Sequence, residues 1–164
     1  MEAANQEEIG RVLGRIPSGV FILTAIDGEG QETGMLCSWV QQASFSPPQI
    51  TVAVRRERYL NTWLAETHKA AVSLVAEGEK KLLGHFGKGF EMGVPAFEGI
   101  GVEHGVTGVP VLSQAMGYLE GHVVGQLPAG DHTIYLLEIV AAGGSDTLQE
   151  QKPMVHVRKN GFNY

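Results

Sequence analysis

The residues best suited to chemistry lie between Gly34 and Pro48, where small and polar side chains separate a strand pattern from two prolines. Ser38 and Ser44 supply hydroxyl groups, and the turn before the prolines offers several backbone N–H donors. Such a set of donors can hold a phosphate or the polar edge of a flat heteroaromatic ring. On spacing alone, an ordinary strand–loop connection with incidental serines is the stronger interpretation.

Three later groups of residues strengthen the binding interpretation. Residues 55–58 read Arg-Arg-Glu-Arg, a basic cluster in an acidic chain, with planar donors suited to a phosphate. A solvated turn is the simpler explanation of that cluster. Phe86 closes a helix pattern just before a glycine-rich stretch, and Asp131-His132 leads directly into a strand pattern. An Asp-His pair of this kind is more often a turn beside a structural histidine.

Other chemistries find no support in the sequence. Gly87-Lys88-Gly89 and Gly99-Ile100-Gly101 lack the surroundings of a P-loop or a dinucleotide fingerprint, and no Gly-x-Ser-x-Gly elbow occurs. Cys37 is better explained as a small buried side chain than as a nucleophile. We therefore expect no metal site and assign no catalytic acid, base or nucleophile. The histidines do not cluster along the chain: His68, His85, His104, His122, His132 and His156.

Composition limits the class of protein. With 164 residues, of which 43% are hydrophobic, the chain is expected to form a single domain over residues 1–164. One cysteine excludes a disulfide framework within one chain. The acidic start carries no leader pattern, and no apolar run approaches about 20 residues, so we expect a soluble, cytoplasmic protein without a membrane partner. A net charge of −6 argues against nucleic acid as a partner.

The elements that must position these residues are mostly short strands. Strands that do not alternate with long helices favour a closed antiparallel barrel with helical insertions over a parallel sheet. The long glycine-rich segment 87–110 is typical of a functional loop or a flap that covers a site, and we expect it to lie outside the core. Periodicity predicts an amphipathic helix over 9–16, helices over 59–66 and 79–86, and strands over 20–26, 34–40, 50–54, 70–75, 115–125, 133–142 and 154–158.

In their order along the chain, these motifs resemble the flavin reductase-like, FMN-binding split-barrel family. The pattern Ser-Trp-Val-x-Gln-Ala-Ser-Phe-x-Pro-Pro at residues 38–48 is similar to the reductase module of cyanobacterial diflavin flavoproteins. Without the domains that precede that module there, the chain is expected to be a free-standing version. The other matching elements are His85-Phe86, Gly108-Val109-Pro110-Val111-Leu112, Gly130-Asp131-His132 and the ending from 155 to 164.

The resemblance implies a mainly β fold, a split β-barrel of antiparallel strands in Greek-key order, and a flavin reductase activity. NAD(P)H would reduce FMN, or FAD, by hydride transfer, and the electrons would pass to oxygen or to a partner such as an oxygenase or another acceptor protein. A flavin beside a dimer interface implies a homodimer.

The resemblance also implies roles for particular residues. The backbone at Cys37–Trp39 and at Ala43–Phe45 would hold the ring edge, and His132 would border the nicotinamide. Ser38 or Ser44, with Arg55 or Arg56, would hold the phosphate. Leu36 and Trp39 stand where the family has hydroxyl residues, which removes hydroxyl contacts and adds an aromatic ring beside the flavin. The full predicted flavin set is Leu36, Cys37, Ser38, Trp39, Ala43, Ser44, Phe45, Arg55, Arg56 and Phe86.

Two other functions stay open at this stage. A flavoredoxin-type electron carrier has the same fold and would bind FMN without efficient NAD(P)H turnover. A non-catalytic barrel that binds another planar ligand, such as haem, is a weaker alternative because no axial-ligand context is evident.

Overall fold

Apolar and β-branched runs build most of this structure, a computed structural model that describes residues 3–164. No helix within that range is long and apolar enough to cross a membrane. The helices are α1 (Ala3–Gly14), α2 (Leu60–Thr67) and α3 (Lys80–Phe86). The strands are β1 (Ser18–Gly19), β2 (Phe21–Ile26), β3 (Glu32–Cys37), β4 (Val40–Phe45), β5 (Pro48–Arg55), β6 (Lys69–Leu74), β7 (Val102–His104), β8 (Pro110–Leu112), β9 (Gly117–Ala129), β10 (His132–Gly144) and β11 (Val155–His156).

Seven of these strands form one antiparallel sheet in the order β3-β2-β6-β9-β10-β5-β4. The prediction of a mainly β, antiparallel fold is confirmed. The two edge strands, β3 and β4, are joined only by Ser38 and Trp39, so the sheet must curve until its edges meet there. Within residues 3–164 no ladder pairs β3 with β4, and the edges are therefore not closed by strand pairing.

The prediction of one strand from Gly34 through Val40 was wrong. β3 pairs with β2 and ends at Cys37, whereas β4 starts at Val40 and pairs with β5 on the other edge of the sheet. Two residues outside both ladders change the direction of the chain, and apolar periodicity does not reveal such a change of partner.

The core lies on both faces of β2, which explains its continuous apolar sequence. Leu23 packs with Leu64 of α2 and with residues of β5 and β6, while Ile22 packs with Leu82 and Phe86 of α3. Because successive side chains of a strand point to opposite faces, β2 separates these two clusters. The predicted helices over 59–66 and 79–86 are therefore the elements that cover the two faces.

Helix α1 exists, but its predicted apolar face is not buried. Val12 and Ile16 are each 60% exposed, and the buried positions of the helix include Gly10 and Gly14. Gly14 lies against the distant residue Arg158, whose amide donates to the Gly14 carbonyl at 2.9 Å. The sequence pattern missed this packing because a glycine adds no apolar signal.

The glycine-rich segment 87–110 is anchored to the body of the protein. The Thr107 amide and hydroxyl donate to the buried Glu120 carboxylate at 2.9 Å and 2.7 Å, and a His85 ring nitrogen lies 2.7 Å from the Ala96 carbonyl. Ile100 belongs to the core cluster of α3. The expectation that this segment lies outside the core was therefore wrong.

Candidate functional site

A cavity of about 470 Å³ opens where the ends of β3, β5 and β10 approach one another. Its apolar walls come from Val20, Met35, Leu36, Leu83 and Met154. Its polar and charged lining comes from Ser38, Arg55, Arg58, His132 and His156, with the Tyr164 ring at the side. An apolar wall with a few convergent polar groups is typical of a small-molecule site.

Ser38 provides the most direct sign that the cavity takes a ligand. Ser38 directly follows the last residue of β3 and is only 7% exposed. Its Oγ has no hydrogen-bond partner among the described residues. Buried hydroxyls nearly always have a partner, because desolvating one without compensation costs about 1–3 kcal/mol. An acceptor or donor atom of a bound molecule would satisfy this hydroxyl.

The basic side of the cavity is held by the turn between β5 and α2. Arg55 pairs in register with His132 of β10, which brings a guanidinium group and an imidazole to the same wall. The Asn61 amide donates to the carbonyls of Arg55 and Arg58 at 2.7 Å and 2.8 Å, and its oxygen accepts from the Tyr135 hydroxyl at 2.7 Å. The turn that carries both arginines is therefore fixed by hydrogen bonds to its backbone carbonyl groups.

His132 is oriented by its chain neighbour. Nδ1 lies 2.7 Å from Oδ1 of Asp131, and this hydrogen bond lowers the pKa of the Asp131 carboxyl below its ordinary value. An ionised carboxylate only accepts, so Nδ1 carries the hydrogen and donates it. Nε2 is left as the ring nitrogen available to a ligand.

Cys37 lines the same cavity, but its thiol is not reactive. Burial raises the pKa of its thiol from 9.0 to about 12, although a hydrogen bond from the Leu23 backbone partly opposes this. The thiolate is the reactive form, so a thiol with this pKa is not a nucleophile near neutral pH. This agrees with the interpretation of Cys37 as a small buried side chain.

Trp39 lies beside the cavity, where its ring contacts two of the lining residues. Its ring centroid lies 4.8 Å from that of His132 and 5.9 Å from that of Tyr164, and the Arg158 guanidinium carbon lies 5.3 Å from its centre. These three partners come from distant parts of the chain. Sequence reasoning assigned no role to Arg158 or Tyr164, although both lie in the 155–164 ending that contributed to the family resemblance.

The structure divides the predicted flavin residues into two groups. Leu36, Cys37, Ser38 and Arg55 line the cavity together with the predicted nicotinamide residue His132, and Trp39 contacts His132. The remaining predicted residues do not line it: Ala43, Ser44 and Phe45 lie on β4, Arg56 bonds to the Asp131 carbonyl through its backbone amide, and Phe86 is fully buried beneath β3.

Sequence reasoning also missed several lining residues. Met35, Arg58 and His156 contribute to the cavity, and of the glycine-rich segment only Gly87 does. Arg58 belongs to the basic cluster 55–58, so the charge pattern of the sequence could have identified it. In the described part of the chain, no group of three His, Cys, Asp or Glu side chains is placed to hold a metal ion.

Comparison with known families gives one match over most of the chain. The family described as "Flavin reductase like domain" matches residues 13–163. Diflavin flavoprotein A 1 of Synechocystis is 34% identical over 158 residues, which are 96% of this chain and 27% of that protein. Putative diflavin flavoprotein A 3 of Synechocystis is 36% identical over 164 residues, 99% of this chain and 26% of that protein. The chain thus spans about a quarter of the length of these relatives.

Solved structures show the same architecture. The NADH:FAD oxidoreductase SgcE6 of Streptomyces globisporus superposes with a TM-score of 0.81 at 27% identity, covering 90% of this chain and 86% of that one. The same enzyme has been solved with NAD and FAD fragments. Flavoredoxin of Methanosarcina acetivorans superposes with a TM-score of 0.73 at 25% identity, covering 84% and 75%.

Proposed function

This chain belongs to the flavin reductase-like family, and on that premise we propose that it uses NAD(P)H to reduce FMN, with FAD as the alternative flavin. The observation that carries the proposal is the unpartnered Ser38 hydroxyl, buried in a cavity that also holds two arginines and an oriented histidine. The similarity to an NADH:FAD oxidoreductase supports the same activity.

The cavity fits a flavin in size and in chemistry. Its volume of about 470 Å³ lies within the range of roughly 300–1,000 Å³ that is usual for small-molecule sites. Met35 and Leu36 offer an apolar wall to a flat ring, and Ser38 offers a hydrogen bond to a polar ring edge. Arg55 and Arg58 offer planar, permanently charged donors to a phosphate.

A bound flavin would supply the ring that accepts a hydride and passes electrons to oxygen or to an acceptor protein. The residues of the chain bind and orient. Asp131 holds the His132 ring through Nδ1, so that Nε2 is presented to the nicotinamide nucleotide. No residue is assigned acid–base work, because hydride transfer between the two rings requires no protein base.

We also propose that the chain forms a homodimer through β4. Among the strands of residues 3–164, this edge strand pairs with β5 alone, and Phe45 at its end is 90% exposed. An unpaired edge with a large exposed aromatic side chain is a ready surface for a second copy. Light scattering after size-exclusion chromatography measures the assembly directly, and a monomer at all working concentrations contradicts this proposal.

The absorption spectrum of the purified protein with added FMN tests the cofactor, and NADH and NADPH oxidation tests the activity. We expect a retained flavin spectrum and an oxidation rate well above that of free FMN. A protein that neither retains flavin nor accelerates the oxidation of either nucleotide overturns the proposed function.

A flavoredoxin-type electron carrier is the second candidate, favoured by the tilted contact of the Trp39 ring with His132, which places a large side chain beside the proposed nicotinamide residue. His132→Ala separates the two functions. In a reductase this variant raises the KM for the nicotinamide nucleotide about tenfold through the loss of a ligand hydrogen bond and ring contact. In a carrier it leaves a uniformly slow turnover unchanged while FMN stays bound.

A further inference from the structure

Residues 155–164 form an ordered segment, here called the arm, that runs from β11 across α1 to the cavity. Its first residues pair with β1, Gly19 with Val155 and Ser18 with His156. At its far end the Tyr164 ring lines the cavity that carries Ser38. The arm therefore links the outer helix α1 to the proposed flavin site.

The arm is docked on α1 through backbone contacts. The amide of Arg158 donates to the Gly14 carbonyl at 2.9 Å, and the amide of Gly161 donates to the Gly10 carbonyl at 2.6 Å. A Cβ atom on Gly14 would lie 2.7 Å from the Arg158 carbonyl oxygen, which is closer than real Cβ contacts come. The glycine at position 14 is thus required for the arm to approach the helix.

Arg158 connects the docked part of the arm to the rings of Trp39 and Tyr164. Its guanidinium donates to the Gly161 carbonyl at 3.1 Å, and its Cζ lies 5.3 Å from the Trp39 ring centre and 5.6 Å from that of Tyr164. A guanidinium within about 6 Å of a ring centroid is attracted by the ring quadrupole. One cation therefore contacts both the Tyr164 ring, which lines the cavity, and the Trp39 ring beside it.

We propose that Arg158 is a positioning residue that holds Trp39 against Tyr164, and that these two rings, here called the aromatic wall, slow the release of bound flavin from the neighbouring cavity. The inference relies on the proposed function only for the identity of the ligand. In this arrangement the arm, rather than the glycine-rich segment 87–110, restricts exchange of the flavin with solvent.

Two variants test the proposal at different places. Arg158→Ala removes the cation between the rings, and Gly14→Ala displaces the arm from a helix position outside the cavity lining. Gly84→Ala is the matched control, because Gly84 is also a helical glycine and nothing lies within 4 Å of a Cβ built there. Arg158→Lys keeps the charge and is expected to restore part of the wall.

The first measurement is acrylamide quenching of tryptophan fluorescence in the protein without flavin. Trp63 also emits, but it is only 4% exposed and is shielded from acrylamide, so a change in quenching reports mainly Trp39. We expect Arg158→Ala and Gly14→Ala to raise the quenching constant about twofold as the rings separate, with Arg158→Lys intermediate and Gly84→Ala at the wild-type value. Wild-type quenching in both test variants overturns the proposal, whether or not the protein binds flavin.

The second measurement is the rate of FMN release after dilution, followed by flavin fluorescence. Release is expected to be about threefold to tenfold faster in both test variants and unchanged in Gly84→Ala, because wall contacts act mainly on the dissociation rate. Unchanged release in both test variants overturns the role in flavin retention. A wild-type protein that binds neither FMN nor FAD and does not accelerate NAD(P)H oxidation instead refutes the proposed function, while the quenching result still decides the role of Arg158.

Discussion

The edge strands β3 and β4 follow one another in the chain, yet one is covered and the other is not. β3 ends in the cavity and packs over Phe86 of α3, which is fully buried. β4 carries Phe45, which is 90% exposed. Residues 34–48 resemble one flavin-binding motif, but the fold divides them between two different surfaces, and in a single chain only the β3 half lines the cavity.

The difference follows from what lies behind each strand. A Cβ on Gly34 of β3 would lie 2.9 Å from the Phe86 ring, so the strand and the α3 side chain are already in close contact. β4 pairs with β5 through a register shift between Gln42 and Ser44, and no strand in the described part of the chain pairs with its other edge. The proposed ligand contact therefore falls on β3, and the proposed contact with a second copy suits β4.

The largest expected effect contrasts Phe86→Ala with Phe45→Ala. Truncating Phe86 leaves a cavity beneath β3 and should lower the free energy of unfolding by about 3–5 kcal/mol. Truncating Phe45 removes an exposed ring and should change it by no more than about 0.5 kcal/mol in the monomer. Urea unfolding monitored by circular dichroism measures both.

Protein concentration serves as the control for this pair of variants. A loss of stability in Phe45→Ala that appears only at concentrations where the wild type dimerises assigns Phe45 to the subunit interface. An equal loss in both variants at high dilution contradicts the contrast between the two strands.

The thiol of Cys37 gives the next largest effect. Because burial raises its pKa to about 12, the neutral form is favoured in the folded protein, and stability falls as the pH rises through the ordinary thiol range. The raised pKa leaves less thiolate and the burial limits access, so alkylation by iodoacetamide near neutral pH should be slower than in the unfolded chain by at least about tenfold.

Mass spectrometry of samples alkylated with and without urea measures this ratio. The urea sample is its own control, since it exposes the same thiol in the same chain. Alkylation at similar rates in both samples would contradict the burial of Cys37 at the end of β3.

Local pattern predicted the elements whose side chains pack against the sheet. Apolar runs identified β2 and β6, and helical spacing identified Leu60, Trp63 and Leu64 as the buried face of α2, as the structure confirms. These elements were predictable because their burial follows from their own periodicity. The break at Ser38 and Trp39 was not, because it depends on which distant strand each half joins.

The site was predictable only in part for the same reason. The motif resemblance named Ser38, Arg55 and His132, which the fold brings to one cavity. It gave no role to Arg158 and Tyr164, because their meeting with Trp39 depends on the docking of the arm on α1. Contacts between the two ends of a chain leave no periodic signal in either end.

The smallest effect separates the two serines of the shared motif. Ser38→Ala removes the buried hydroxyl proposed to bind flavin and should weaken FMN affinity about fivefold, the usual size of one neutral hydrogen bond. Its stability without flavin should not fall, because the Oγ has no protein partner to lose. Ser44→Ala, the matched control on β4, should leave FMN affinity unchanged, since Ser44 does not line the cavity. Fluorescence titration with FMN measures both variants, and equal losses of affinity would place the two strands at one flavin site, as in a dimer whose second copy brings β4 to the cavity.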